Sequence, residues 1–347
     1  MTRRQLRGLR MLATIVLVAA LVGALYGFLM QRNSVGALIG GLYGVMISLP
    51  IGLVELAWSV SVAGRRIVTR LPFALVVLAK SVLYGAAITL PQAMDLGPVL
   101  LGLKPFSGFI PWSRSLTDAM VFSVAVSLVV NFLMQLSLLV GPRTFLALMS
   151  GRYHQPVREE RFFLFADLRG STRLAEQLGD IAYHRFLNRV FIALSGPVTD
   201  ERGEIVQYVG DEMVVTWPLA IGRHDARPLR CWFALQRELD GLAAEFERDF
   251  GARPQLHGAL HAGTVVTGEI GAVKRDIVFH GDVMNTTARL EQATRDLQRP
   301  FLVSGPAWEL IEGREAYHAE ALGTLPLRGK QEAVAVLAVQ PSHSPIG

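Results

Sequence analysis

Cysteine is almost missing: Cys231 stands alone in 347 residues. No disulfide can form within the chain, which excludes a cross-linked scaffold and fits a reducing compartment, with Cys231 read as a packed core thiol. Charge is also scarce, at 18% of residues against 51% hydrophobic, so the chain is too apolar for an average soluble protein. No basic stretch is interleaved with aromatics, and this excludes a nucleic-acid platform as the use of the +5 net charge. Nor does a small-x-small cleavage site follow the basic start "MTRRQLRGLR". The apolar run after it is too long for a secretory signal.

What is present divides near residue 150. Long uncharged runs crowd the first part, whereas the remainder has the mixed charge and turn punctuation of a globular domain. Four membrane spans are predicted, at 11–30, 37–60, 72–90 and 119–140, each bounded by charge or by Pro, Gly and Ser. Arginines mark one side of the bilayer: Arg3, Arg4, Arg7 and Arg10 before the first span, Arg65, Arg66 and Arg70 after the second, and Arg143, Arg152, Arg158 and Arg161 after the fourth. The other two loops hold only Arg32, Lys104 and Arg114. By the positive-inside rule both the amino terminus and the globular domain face the cytoplasm, at an inner, cytoplasmic membrane crossed several times. The same arginines suit an anionic leaflet, making the lipid bilayer an expected partner. Glu55 and Lys80 interrupt two spans and are candidates to pair, since burying either alone in lipid would cost a few kcal/mol.

The expected organisation is a membrane domain at 1–142, a juxtamembrane linker at 143–159 and a globular domain at 160–340. The linker is too short for a separate sensor domain.

Three polar constellations carry the chemistry. In "RFFLFADLRGST" an apolar strand over 162–165 stops at Asp167, and a helix starts with Ser171 or Thr172 as its cap. Free amides and the helix dipole at Arg169, Gly170, Ser171 and Thr172 suit phosphate. In "VQYVGDEMVV" a hairpin turns at Gly210 and Asp211 between strands 203–209 and 212–217. Were the two strands neighbours, Asp167 and Asp211 would converge as hard oxygen ligands suited to magnesium with substrate phosphates. In "HGDVMNTTARLEQ" Asn285 and Arg289 stand four apart, on one helix face. Asn285-Thr286-Thr287 also matches a glycosylation sequon, which the cytoplasmic topology makes empty.

The motifs "FADLRGST", "YVGDEMV", "HAGTVVTGEIG", "GDVMNTTARLE" and "LPLRGKQEAVAVLAV", in this order over 160–340, resemble the catalytic domain of class III nucleotidyl cyclases. The resemblance implies an α+β, ferredoxin-like fold that dimerises head to tail, here behind an α-helical transmembrane domain of about four spans. It implies that Asp167, Asp211 and the carbonyl of Leu168 hold two magnesium ions, with manganese able to substitute. It further implies that Asn285 orients the ribose, that Arg289 neutralises phosphate charge from across the dimer interface, and that Arg328 or Lys330 contacts phosphate. Each site would then need two chains, a homodimer through catalytic domains and membrane spans.

The base-reading positions depart from the family. Gln207 stands where adenylate cyclases usually have Lys and guanylate cyclases Glu, and Val278 replaces the usual Asp or Thr, leaving Asp276 as a substitute. The leading expectation is a membrane-anchored adenylate cyclase converting ATP to 3′,5′-cyclic AMP and pyrophosphate. Its alternatives are a guanylate cyclase acting on GTP and a catalytically weak nucleotide-binding module. A diguanylate cyclase, whose hairpin also carries Gly-Asp-Glu, lacks the "NTTARLE" pairing.

Overall fold

The structure, a computed structural model, describes residues 3–60, 72–105, 141–273, 275–325 and 333–342, with 117, 121, 125, 128, 129, 131–137 and 140. The chain divides into two compact units, Met1–Pro142 and Arg143–Gly347.

In the first unit three helices are long and apolar enough to cross a membrane: α1 (Arg3–Gln31), α2 (Ser34–Val60) and α3 (Phe73–Ala93). Of the predicted span at 119–140 the described residues are helical, and the rest of it lies outside the described residues, as do Arg65, Arg66 and Arg70. Helices α1 and α2 form a tight hairpin. Asn33 begins the second arm, its Oδ1 accepting from the Gly36 amide at 2.7 Å. Glycines make the close approach possible, since a Cβ added at Gly23, Gly27 or Gly40 would run into a backbone carbonyl of the facing helix. Between α2 and α3 the two charges expected to interrupt the spans meet: Lys80 Nζ lies 2.6 Å from Glu55 Oε1, and the Tyr84 hydroxyl donates to the same oxygen. Lys80 is buried, so this pairing removes the cost of an isolated charge.

The second unit opens with α4 (Pro142–Ser150) and β1 (Val157–Leu168). Strand β1 thus begins inside the stretch expected to be linker. A helical pair follows, α5 (Ser171–Leu178) and α6 (Asp180–Asp200), then the hairpin β2 (Glu204–Val209) and β3 (Glu212–Pro218). Next come α7 (Arg227–Phe250), the long β4 (Leu256–Ile270) and β5 (Asp276–His280). The unit closes with α8 (Asp282–Asp296), β6 (Phe301–Ser304), α9 (Gly305–Leu310), β7 (Tyr317–Leu325) and β8 (Val334–Pro341).

One mixed sheet joins the strands in the order β2-β3-β1-β4-β6-β8-β7, with β5 paired to β4. Its first half, with α5, α6 and α7, has the β-α-β-β-α-β connectivity with antiparallel neighbours. Side chains of β1 alternate between two cores. Phe162, Leu164, Ala166 and Leu168 enter the larger one with α6 and α7, whereas Phe163 and Phe165 pack on the other face against Val214, Val265 and Val283. Both faces are covered, which is why the strand reads as an unbroken apolar run. Asp167 continues the series of Phe163 and Phe165, so the period of two aims it at the α8 face. Cys231 is buried in the larger core, where desolvation pushes its thiol pKa up.

Helix α5 starts differently from the sequence expectation. Its N-cap is Gly170 in the left-handed region (φ 72°), with no side-chain cap. Ser171 is the first helical residue and its hydroxyl is turned to Asp211 instead. The sharp exit from β1 demands a positive φ, and glycine meets that demand where serine would be strained. Gly179 (φ 73°) likewise marks the break between α5 and α6.

Candidate functional site

The register of β1 brings the acids together. Ala166 pairs with Met213 of β3, which places the hairpin turn at Asp211 beside Asp167. The two carboxyl groups lie within hydrogen-bonding reach of each other, and Ser171 reaches Asp211. On the opposite side β4 places His257 directly across from Asp167. His257 Nε2 lies 3.2 Å from Asp167 Oδ2 and 2.6 Å from Glu291 Oε1. From α8, Arg295 Nη2 donates to Asp167 Oδ2 at 2.8 Å.

This crowding polarises the titratable groups. Burial alone would raise the Asp167 carboxyl, but His257, Asp211 and Arg295 hold it below the usual range. Asp211 goes the other way, pushed up by burial and by the charge of Asp167. Burial together with Glu291, Asp167 and Asp211 pushes Glu212 up to about 7. Burial opposes the charged form of His257, yet Asp167 and Glu291 bring it up to about 9. Burial and the Asp211 charge also raise the Tyr183 phenol, which neighbours Ser171.

Asp211 Oδ2 is buried with no hydrogen-bond partner. A desolvated carboxylate oxygen beside a second carboxylate is costly without a cation. Carboxylate oxygens from Asp167 and Asp211 suit a hard divalent cation. Asp167, His257 and Glu291 also offer ligand atoms within 4.8 Å of one another, a buried group that could hold a metal ion. Next to it lies the start of α5, with Arg169 and Thr172 exposed, Ser171 half-buried and Gly170 at the turn.

The other expected residues lie elsewhere. Asn285 is exposed and Arg289 half-buried on α8. Ten residues separate Asn285 from Arg295, a rise of about 15 Å along the helix. The end of α8 that touches Asp167 is thus not the end that carries Asn285. Gln207 is exposed on β2, opposite Val214. Val278 and Asp276 pair with Gly268 and Ile270 on β5 and β4. Their strands converge, because Val206 and Phe279, chain neighbours of Gln207 and Val278, pack on one small core. Arg328 and Lys330 lie outside the described residues.

Sequence reasoning missed Tyr183, Glu212, His257, Glu291 and Arg295. One signal was available: a histidine at 257 in the otherwise apolar start of "LHGALHAG". The rest depend on contacts between distant segments.

Residues 155–339 match the family model described as the adenylate and guanylate cyclase catalytic domain, and the chain belongs to this family. Among individual proteins it is similar to Adenylate cyclase 2 of Rhizobium meliloti (strain 1021), 40% identical over 233 residues that cover 65% of this chain and 64% of that protein. Adenylate cyclase 1 of the same organism is 27% identical over 193 residues, 52% of this chain and 28% of its own length. The chain spans less than two thirds of each of these relatives. A solved bacterial light-regulated adenylyl cyclase matches with a TM-score of 0.55 and 20% identity over 67% of this chain and 68% of that one, a likeness of fold.

Proposed function

We propose that the chain is a membrane-anchored adenylate cyclase that converts ATP to 3′,5′-cyclic AMP and pyrophosphate at sites shared by two copies of itself. Residues 1–142 form the membrane domain, a juxtamembrane link runs from 143 up to the start of β1, and the catalytic domain follows to 340, with the amino terminus and catalytic domain both cytoplasmic. The observation that carries the reading is the Asp167–Asp211 pair, with its unpartnered buried oxygen, at the mouth of a helix amino terminus.

In the reaction the ribose 3′ oxygen bonds to the α-phosphorus, the bond from that phosphorus to the bridging oxygen breaks, and pyrophosphate leaves. Asp167, Asp211 and the Leu168 carbonyl would hold two magnesium ions, or manganese in their place, which supply activation of the 3′ hydroxyl and charge neutralisation on the phosphates when bound. The amides at Gly170, Ser171 and Thr172 receive the phosphates together with the positive end of the α5 dipole. Asn285 orients the ribose by hydrogen bonds. Arg289 places a fixed cation against charge developing at the α-phosphoryl group. The separation along α8 favours Asn285 and Arg289 serving the acids of the partner copy. Arg328 and Lys330 are assigned to the pyrophosphate end on the family resemblance.

Purine choice rests on Gln207 and on Val278 or Asp276. A glutamine amide both donates and accepts, so it can face adenine or guanine, whereas the Val278 side chain hydrogen-bonds neither. GTP is therefore the competing substrate. The purified 347-residue chain, assayed with each nucleotide and manganese by separation of the cyclic products, decides the matter: cyclic AMP formation is expected. Cyclic GMP alone would make it a guanylate cyclase, and no cyclic product would leave a nucleotide-binding module.

A further inference from the structure

Asp167 is already engaged by a cation from its own chain. Arg295 reaches its Oδ2 with Nη2 at 2.8 Å, while the same guanidinium lies 3.6 Å from Glu291 Oε1 and, through Nε, 3.2 Å from His257 Nε2. The two partners differ in freedom. Asp167 is fixed at the end of a strand paired on both edges, with its side chain 11% exposed; the Arg295 side chain is 61% exposed, one residue from the end of α8. Arg295 can swing into water, whereas Asp167 cannot turn away.

The geometry points to Arg295 as a resident counter-cation that competes with divalent metal for Asp167 and so sets the metal concentration at which the site fills. This rests on the metal reading of Asp167 and Asp211. In the metal-free state the guanidinium offsets the repulsion among Asp167, Asp211, Glu212 and Glu291, which crowd this end of the sheet. For the metal to take Asp167 Oδ2, the oxygen that Arg295 holds, the guanidinium must leave. The apparent dissociation constant is then the intrinsic one divided by the fraction of chains whose Arg295 is turned out. An ion pair with one well-solvated partner is weak, so the penalty is a factor of about three to five.

Titration of the 347-residue chain in detergent with Mn2+ alone, read by its paramagnetic resonance signal, tests this without turnover. Arg295→Met is expected to bind Mn2+ about three- to fivefold tighter than the native chain. Arg295→Lys, which keeps the charge but loses the fork, falls between them and also decides the matter if Arg295→Met does not fold. In assays the Mn2+ concentration for half-maximal activity falls in parallel, while the KM for ATP at saturating metal holds. Asp167→Asn identifies the binding being followed. If it leaves Mn2+ binding intact, the metal reading falls and this inference with it. Should Asp167→Asn abolish binding while neither Arg295 variant binds more tightly than native, only the competition is overturned. A raised KM for ATP with unaltered Mn2+ affinity would assign Arg295 to the substrate, and would overturn it equally.

Discussion

The two ends of β1 handle buried charge in opposite ways. At the Arg161 end the buried charge is answered. Arg161 is 2% exposed, with Nη1 3.0 Å from Glu159, Nη2 2.9 Å from Glu204 and Nε donating to Thr216 Oγ1 at 3.1 Å, while the Tyr153 hydroxyl meets Glu159. The guanidinium also lies over the ring of Phe279. Six residues along, at Asp167, like charges crowd and Asp211 keeps an oxygen without a partner. A closed network fixes strands β1, β2 and β3 to one another. An open one is an energetic debt that a ligand can relieve, and on physical grounds it marks the functional end.

The contrast can be broken at each end. Asp211→Ala should lower turnover by about a hundredfold or more, because it removes one of the two carboxylates proposed to hold the metal. The same variant should lose no more than about 1 kcal/mol of stability, since the Ser171 contact goes but the buried oxygen has no partner to lose. A larger loss would make Asp211 a structural residue. At the other end Arg161→Met should destabilise the second unit by about 2 to 3 kcal/mol, since half-buried Glu159 and Glu204 lose the buried guanidinium they share while Glu159 keeps Arg152. Thermal unfolding followed by circular dichroism measures it, and a loss under 1 kcal/mol would show the network to be slack.

Smaller effects sharpen the comparison. Gln207→Glu should move the ATP to GTP ratio of kcat/KM toward GTP by about tenfold, the usual size of one hydrogen-bond discrimination. An unaltered ratio moves base choice to Asp276. The least effect concerns pH. Burial works against ionised Glu159, but the hydrogen bond and charge of Arg161 outweigh it, so its carboxyl pKa is lowered from 4.5 on folding. Stability from such a group is present above the unfolded value and is lost as pH falls through the folded one. The gap in melting temperature between the native chain and Glu159→Gln should therefore narrow below pH 4.5. A gap constant down to the acid limit would show that Glu159 does not titrate against Arg161.

Much of the site was legible because its pieces are local. The apolar strand stopping at Asp167 and the Gly210-Asp211 hairpin are written in consecutive residues, and the structure forms both. What surrounds Asp167 was not legible. His257, Glu291 and Arg295 arrive only through the antiparallel register of β1 with β4 and through the packing of α8, at separations of up to 128 residues. The helix cap was misread for a related reason: Ser171 has the chemistry of a cap, but a tertiary neighbour, Asp211, claims its hydroxyl. The pairing of Glu55 with Lys80 was foreseeable from the cost of an isolated charge in lipid. The arginine network was not, since Arg161 reads as one more juxtamembrane charge until the sheet closes around it.

Complementation between chains tests the central claim, that the acids of one copy work with Asn285 and Arg289 of another. An Asp167→Ala chain and an Arg289→Ala chain, co-expressed in equal amounts, each lack one half of the site. A mixed dimer contains one site with every group and one lacking both. With random assortment half the dimers are mixed and each has one of two sites intact, so about a quarter of native activity is expected if sites act independently. Mixed dimers as inactive as either parent would contradict a site built from two chains.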